Sequence, residues 1–212
     1  MIYQGGPRIS MMGDILISTL GLAPAVVTEM IDELSKRGVM VSKVIVLVPR
    51  SALQSYWALR LDLERGPNRG RIRLERVDLP FDDVRSEGDC AAFRRVLADV
   101  VRRARAEGSV HLSVAGGRKA VHIEALLVAM ALGIENVYHI IAEEIRGPTL
   151  FSSVQDLYDL EGYATSREPP EDLMRMIVDS CHPTDLTLHL IRIPIPALTR
   201  RVRRRMAEEL GL

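Results

Sequence analysis

Along the first 140 residues the apolar positions fall into two alternating rhythms. Short continuous runs occur at 13–19 (GDILIST), 43–49 (KVIVLVP), 109–115 (SVHLSVA) and 136–142 (NVYHIIA). Runs of this length, rich in Val and Ile, predict strands buried on both faces. A further stretch, RIRLERVDL at 71–79, alternates apolar with charged residues and predicts another strand. Between the runs the spacing turns helical. Val26, Val27, Met30, Ile31 and Leu34 form one apolar face, with Pro24 suited to a first turn and Gly38 to the stop. The same spacing predicts helices over 51–64, 89–107 and 118–133. The second of these places Arg94, Arg95, Arg102, Arg103 and Arg105 on its polar side, and the third is apolar almost throughout.

Strands alternating with helices predict right-handed βαβ units and a parallel sheet covered by helices on both faces. The fold class is therefore α/β, Rossmann-like. From residue 147 the character changes. A Pro169-Pro170 break interrupts a segment with one short helix, LTLHLIRIPIP at 186–196 reads as a strand, and LTRRVRRRMAEELGL as a terminal amphipathic helix. About 65 residues bury little core alone. The expected organisation is a Rossmann-like domain at 1–146 and a small α+β extension at 147–212 packed on it.

Composition narrows the partners. Twenty-eight acidic residues balance twenty-eight basic ones, so no global field attracts polyanions, and a phosphate ligand needs a local site. No large nucleic acid is expected as partner. Cys90 and Cys181 are too few and too far apart for a disulfide framework or zinc site. No segment approaches about 18 uninterrupted apolar residues, and the N-terminus lacks a secretory pattern. A cytoplasmic protein without membrane contact is expected.

Ligands of open parallel sheets collect beyond the carboxyl ends of the strands. Two ends are unusual here. The first strand runs into Ser18-Thr19-Leu20-Gly21, the fourth into Gly116-Gly117-Arg118-Lys119, and both feed a helix N-terminus. Free N–H groups and the dipole at such an end bind anions, and glycines let a phosphate approach the backbone. Lys119 is one of three lysines among 25 arginines. Neither G-x-G-x-x-G nor G-x-x-x-x-G-K-[ST] is present, which argues against a nicotinamide enzyme and a P-loop ATPase.

LISTLGLAPAVVTEMIDEL and HLSVAGGRKAVHIEALLVAMALG, about 95 residues apart, together resemble the CARF domains, the CRISPR-associated Rossmann-fold sensors of cyclic oligoadenylate. The likeness is best to the branch in CRISPR ribonucleases and stand-alone ring nucleases, and thins beyond about residue 145. The resemblance implies a homodimer with a two-fold pocket for a ring of four or six adenylates. It maps ligand contacts onto Ser18, Thr19, Leu20, Gly116, Gly117, Arg118 and Lys119; by position at the strand ends, Gly21 and Arg50 are further ligand candidates. The larger relatives carry a second nuclease domain, whereas here Arg175 is followed at the Arg-x-x-x-x-His spacing by Ser180. The expectation is a ring nuclease that cleaves cyclic oligoadenylate, of four adenylates by preference, to linear products with a 2′,3′-cyclic phosphate, switching off type III CRISPR signalling. A non-catalytic sensor acting through a partner protein is the alternative.

The chemistry needs no cofactor and no metal. An RNA phosphodiester carries its own nucleophile in the 2′-OH, so a site that fixes in-line geometry and stabilises the phosphorane suffices. Lys119 is the candidate charge donor and Ser18 the candidate to orient the 2′-OH. The backbone N–H groups near Leu20 and Gly117 are candidates to hold phosphates. His122 is expected to face core or solvent, Asp78, Asp82 and Asp83 at the carboxyl edge to form a solvated turn, with the pocket lining as the alternative, and the terminal arginines to solvate a docked helix. His139, His182 and His189 show no metal-ligand spacing.

Overall fold

The computed structural model describes residues 13–67, 69–144, 159–184 and 186–212. Among these, β1 (Asp14–Thr19), β2 (Val41–Val48), β3 (Arg73–Asp78), β4 (Ser109–Ser113), β5 (Val137–Glu144) and β6 (Leu186–Ile193) form one sheet. Its order is β3-β2-β1-β4-β5-β6. The first five strands pair in parallel, and β6 pairs antiparallel with β5. The helices are α1 (Ala25–Lys36), α2 (Leu53–Arg65), α3 (Glu87–Glu107), α4 (Lys119–Leu132), α5 (Leu160–Thr165), α6 (Glu171–Cys181) and α7 (Arg200–Leu210). The Rossmann-like architecture expected from the apolar rhythm is the one observed.

Period-two alternation sorts the strand residues into two cores. Leu16, Val44, Val46 and Val48 face α1, α2, α5 and α6, whereas Ile15, Ile17, Ile45 and Leu47 face α3 and α4. Met30 and Leu34 of α1 are fully buried, each contributing roughly 1.5–3 kcal/mol by leaving water. β1 is the central strand, with β2 on one side and β4 on the other. The direction of sheet growth reverses there, which makes it the topological switch point.

Polar capping, invisible to apolar periodicity, moves one boundary. α3 begins two residues before Asp89 because Ser86 Oγ accepts the Asp89 N–H at 3.1 Å and donates to its carboxylate at 2.8 Å. Two helices, α5 and α6, flank Pro169-Pro170 where one was expected. Leu160, Ala164, Leu173 and Ile177 bury in the α1/α2 core. The last strand stops at Ile193 rather than 196, since Pro194 and Pro196 have no N–H for a ladder. The sheet is thus mixed: an antiparallel edge strand closes an otherwise parallel sheet. α7 lies against α4, with Leu212 entering the second core. The boundary at 146/147 falls outside the described residues. No helix among them is long and apolar enough to cross a membrane.

Candidate functional site

β1 and β4 are hydrogen-bonded neighbours with Ser18 opposite Ser113, so their carboxyl ends open side by side. The loops that follow are in tight contact. Thr19 Oγ1 donates to the Gly116 carbonyl. A Cβ on Gly116 would lie 2.1 Å from the Thr19 carbonyl oxygen, and one on Gly21 2.7 Å from the Gly117 nitrogen. Gly117 itself has φ +96°, a region that side chains disfavour. The two adjacent glycines therefore have different reasons: close approach at 116 and conformation at 117.

Above this contact lies a cleft of about 580 Å³. Thr19, Leu20, Gly21, Gly116, Gly117 and Arg118 line one side, and Pro49, Ser51, Leu79 and the segment Phe81–Arg85 line the other. α1, α2 and α4 all start at this cleft, and none has a side-chain cap on its first N–H groups. Outside the cleft lining, α3, α5 and α7 are capped by Ser86, Asp159 and Thr199, and α6, after Pro170, has no side-chain cap. Uncapped N–H groups at the positive end of a helix dipole suit an anion. Arg118 is the N-cap residue of α4 and Lys119 its first residue.

The candidates divide by position. Thr19, Leu20, Gly21, Gly116, Gly117 and Arg118 are brought together in the cleft wall. The Leu20 N–H is engaged, donating to the Leu47 carbonyl at 3.1 Å, so that amide belongs to the sheet rather than to a ligand. Ser18 is fully buried behind the wall, where its hydroxyl donates to the Thr19 carbonyl at 3.1 Å. Lys119 is exposed, outside the lining residues, with no ion pair or hydrogen bond among the described residues. Arg50 is exposed on the rim, its Nε 3.3 Å from Asp82 Oδ1.

Two features depart from the readings the sequence favours. Asp82 and Asp83, expected in a solvated turn, line the cleft. Arg118 grips Asp83 through Nε at 3.0 and 3.1 Å and Nη2 at 2.7 Å. Hydrogen bonding from Arg118 holds the Asp83 carboxyl below its ordinary range. Their only sequence signal was a place at the carboxyl edge after β3. The second feature is His122, half-buried behind the glycine loop with Nε2 3.0 Å from the Gly116 carbonyl. Burial lowers its pKa, and because a carbonyl oxygen only accepts, Nε2–H is the donor. The Gly116 carbonyl thus receives hydrogen bonds from both Thr19 and His122, which fixes the loop. Among the described residues, no three His, Cys, Asp or Glu side chains converge to hold a metal.

Comparison with known proteins adds to this geometry. The profile of a family described as CRISPR-associated protein NE0113 matches residues 23–211. No curated protein sequence matches. Csm6 from Enterococcus italicus, solved bound to cyclic hexa-2'-fluoro-hexa-dAMP, superposes with a TM-score of 0.51 at 12% identity, covering 93% of this chain and 45% of that one. At that identity the match shows the fold. Protein VC1899 from Vibrio cholerae aligns over 59% of this chain and 30% of its own, at 12% identity and a TM-score of 0.46, an overlap that carries no argument. The chain spans less than half the length of either solved protein.

Proposed function

The chain belongs to the CRISPR-associated NE0113 family and has the CARF-type Rossmann fold, and from that premise we propose that its cleft binds cyclic oligoadenylate and opens the ring. The observation that carries this reading is the meeting of Thr19–Gly21 and Gly116–Arg118 at one cleft, over the uncapped start of α4, whose first residue is Lys119. Glycine backbone, free N–H groups and two adjacent cations are what a phosphodiester needs. Csm6, with the same fold, was solved bound to a cyclic hexanucleotide.

Ring opening needs a ribose 2′-OH in line with the adjacent phosphorus. The new P–O2′ bond forms as the P–O5′ bond breaks, leaving a 2′,3′-cyclic phosphate. The 2′-OH proton passes to water, and the departing 5′-oxygen takes one up. Lys119 supplies positive charge to the phosphorane and the proton to the leaving oxygen. Ser18, bonded to the Thr19 carbonyl, acts by holding the end of β1 under the ligand.

The working unit is a homodimer. One protomer offers too few phosphate-binding helix ends for a ring of four, and two-fold symmetry doubles them. Three exposed isoleucines support this. Ile123 of α4 is 59% exposed, and Ile141 and Ile191 are each 44% exposed. Ile191 lies opposite His139, whose ring is 6.1 Å from that of His122 on α4, and Ile141 follows two residues along β5 on the same face.

A sensor without turnover is the second reading, favoured by the burial of Ser18 and by the place of Lys119 outside the lining residues. Incubation with cyclic tetra- and hexa-adenylate in EDTA, with products resolved, separates the two. A linear product ending in a 2′,3′-cyclic phosphate is expected. A ring bound and intact would establish the sensor, and activity lost in chelator but restored by manganese or magnesium would overturn the metal-free chemistry.

A further inference from the structure

We propose that Asp83 is a specificity-determining residue of the cleft, whose carboxylate occupies the phosphate-gripping edge of Arg118 and so admits ligands with several phosphates while turning single phosphates away. The inference rests on the reading of the cleft as a cyclic oligoadenylate site. Nε and Nη2 of Arg118 both bond Asp83. Those two nitrogens form one edge of the guanidinium, the edge that takes two oxygens of a carboxylate or phosphate side by side. A phosphate arriving at Arg118 meets an edge already filled by an anion of matching shape.

The two partners are not equally fixed. The Asp83 side chain is 19% exposed and its Oδ1 accepts the Val84 N–H at 2.9 Å, whereas Arg118 is 72% exposed on a long stem. When the pair opens, Arg118 swings and Asp83 stays as a negative charge in the wall. The neighbouring pair repeats the arrangement more weakly: Arg50 makes a single contact with Asp82, and the Ser51 hydroxyl donates to the Asp82 carbonyl at 2.7 Å. Two of the three cations expected here, Arg50 and Arg118, are thus held by successive aspartates of the segment between β3 and α3.

Separating Arg118 from Asp83 is a fixed cost for any ligand. A mononucleotide recovers about what was broken and still faces the standing carboxylate. A ring places further phosphates on the uncapped helix starts at the same time, and these linked contacts outweigh one displaced ion pair. Asp83 therefore discriminates by number of phosphates rather than by base.

Calorimetric titration of the full chain with adenosine 5′-monophosphate and with cyclic tetra- and hexa-adenylate tests this in the wild type, Asp83→Asn, Arg118→Ala and the double variant. Asp83→Asn should tighten monophosphate binding about tenfold and ring binding less, and in the Arg118→Ala background its effect should shrink below about twofold. Asp83→Ser keeps an oxygen for the Val84 N–H and gives the same answer should the Asn variant fold poorly. An equal gain in both backgrounds would mean a general charge effect and overturn the inference. Weaker binding of both ligands by Asp83→Asn would make Asp83 a ligand contact and overturn it too. If the wild type binds the rings and Asp83→Asn leaves the ring-to-monophosphate ratio unchanged, the inference on Asp83 alone falls. If the rings bind no form of the protein, the reading of the cleft falls and takes this inference with it.

Discussion

Lys43 is buried between Glu75 and Glu107, each at 2.8 Å, and Lys36 pairs with Glu33 on its own helix. Lys119 has no such carboxylate among the described residues, and it sits where the α4 dipole opposes a cation. An unpaired charge in an unfavourable field fits an anion-binding role. Lys119→Ala should lower ring cleavage by about 10² or more, the usual scale for losing one transition-state charge donor, with a smaller loss in ring affinity. Lys119→Arg keeps the charge on a planar group that does not give up its proton, so it should bind the ring and cleave it poorly. Single-turnover rates beside binding constants check both. Cleavage by the Arg variant at the wild-type rate would reduce Lys119 to a solvated charge. The glycines and Arg118 at the cleft were legible in the sequence because a Gly-Gly-Arg-Lys turn at a strand end is a local pattern. Asp83 was not, since its role depends on a partner 35 residues away that only folding brings within 2.7 Å.

At the scale of elements, α6 is tied to α1 and α2 by one histidine. His182 follows α6 directly, with Nε2 3.0 Å from Asp62 of α2 and Nδ1 3.7 Å from Asp32 of α1. The Asp32 and Asp62 carboxylates beside it raise its pKa from 6.5 to about 9. Asp62 is fully buried, with Oδ1 unpartnered and Oδ2 bonded to this ring. The folded pKa is raised, so the stabilisation is complete below about pH 6.5 and is lost as pH rises through about 9. By the usual conversion it amounts to at most about 3 kcal/mol. Urea midpoints from pH 6 to 10 should therefore fall with pH in the wild type and change much less in His182→Gln. Parallel curves would show that the pair adds nothing to stability. Spacing gave no hint of this tie, because Asp62 and His182 are 120 residues apart and lie on elements whose packing the apolar pattern leaves open.

For the whole molecule, the apolar character of α4 asks for a cover. Its buried residues, Val121, Ala125, Val128 and Ala129, satisfy the sheet side, and α7 covers another, yet Ile123 stays in solvent. A helix apolar on all sides is usually enclosed. Light scattering should give twice the mass of the chain, and Ile123→Glu should shift the equilibrium toward monomer and weaken ring binding at the same time. A monomer in the free protein and at saturating ring would remove the two-fold pocket.

What the sequence determined by itself was the order and type of the elements through residue 142, and with them the sheet edge where the cleft lies. Those follow from local physics: apolar period, glycine and proline geometry, and helix-end electrostatics act over a few residues each. Tertiary structure decided the rest. It set β6 antiparallel beside β5, because strand direction depends on where the intervening helices pack. It placed the Ser18 hydroxyl behind the wall, because β1 is central and both its faces are covered. It also joined Arg118 to Asp83 across the cleft. Such pairings depend on distances between remote segments, which no pattern along the chain encodes.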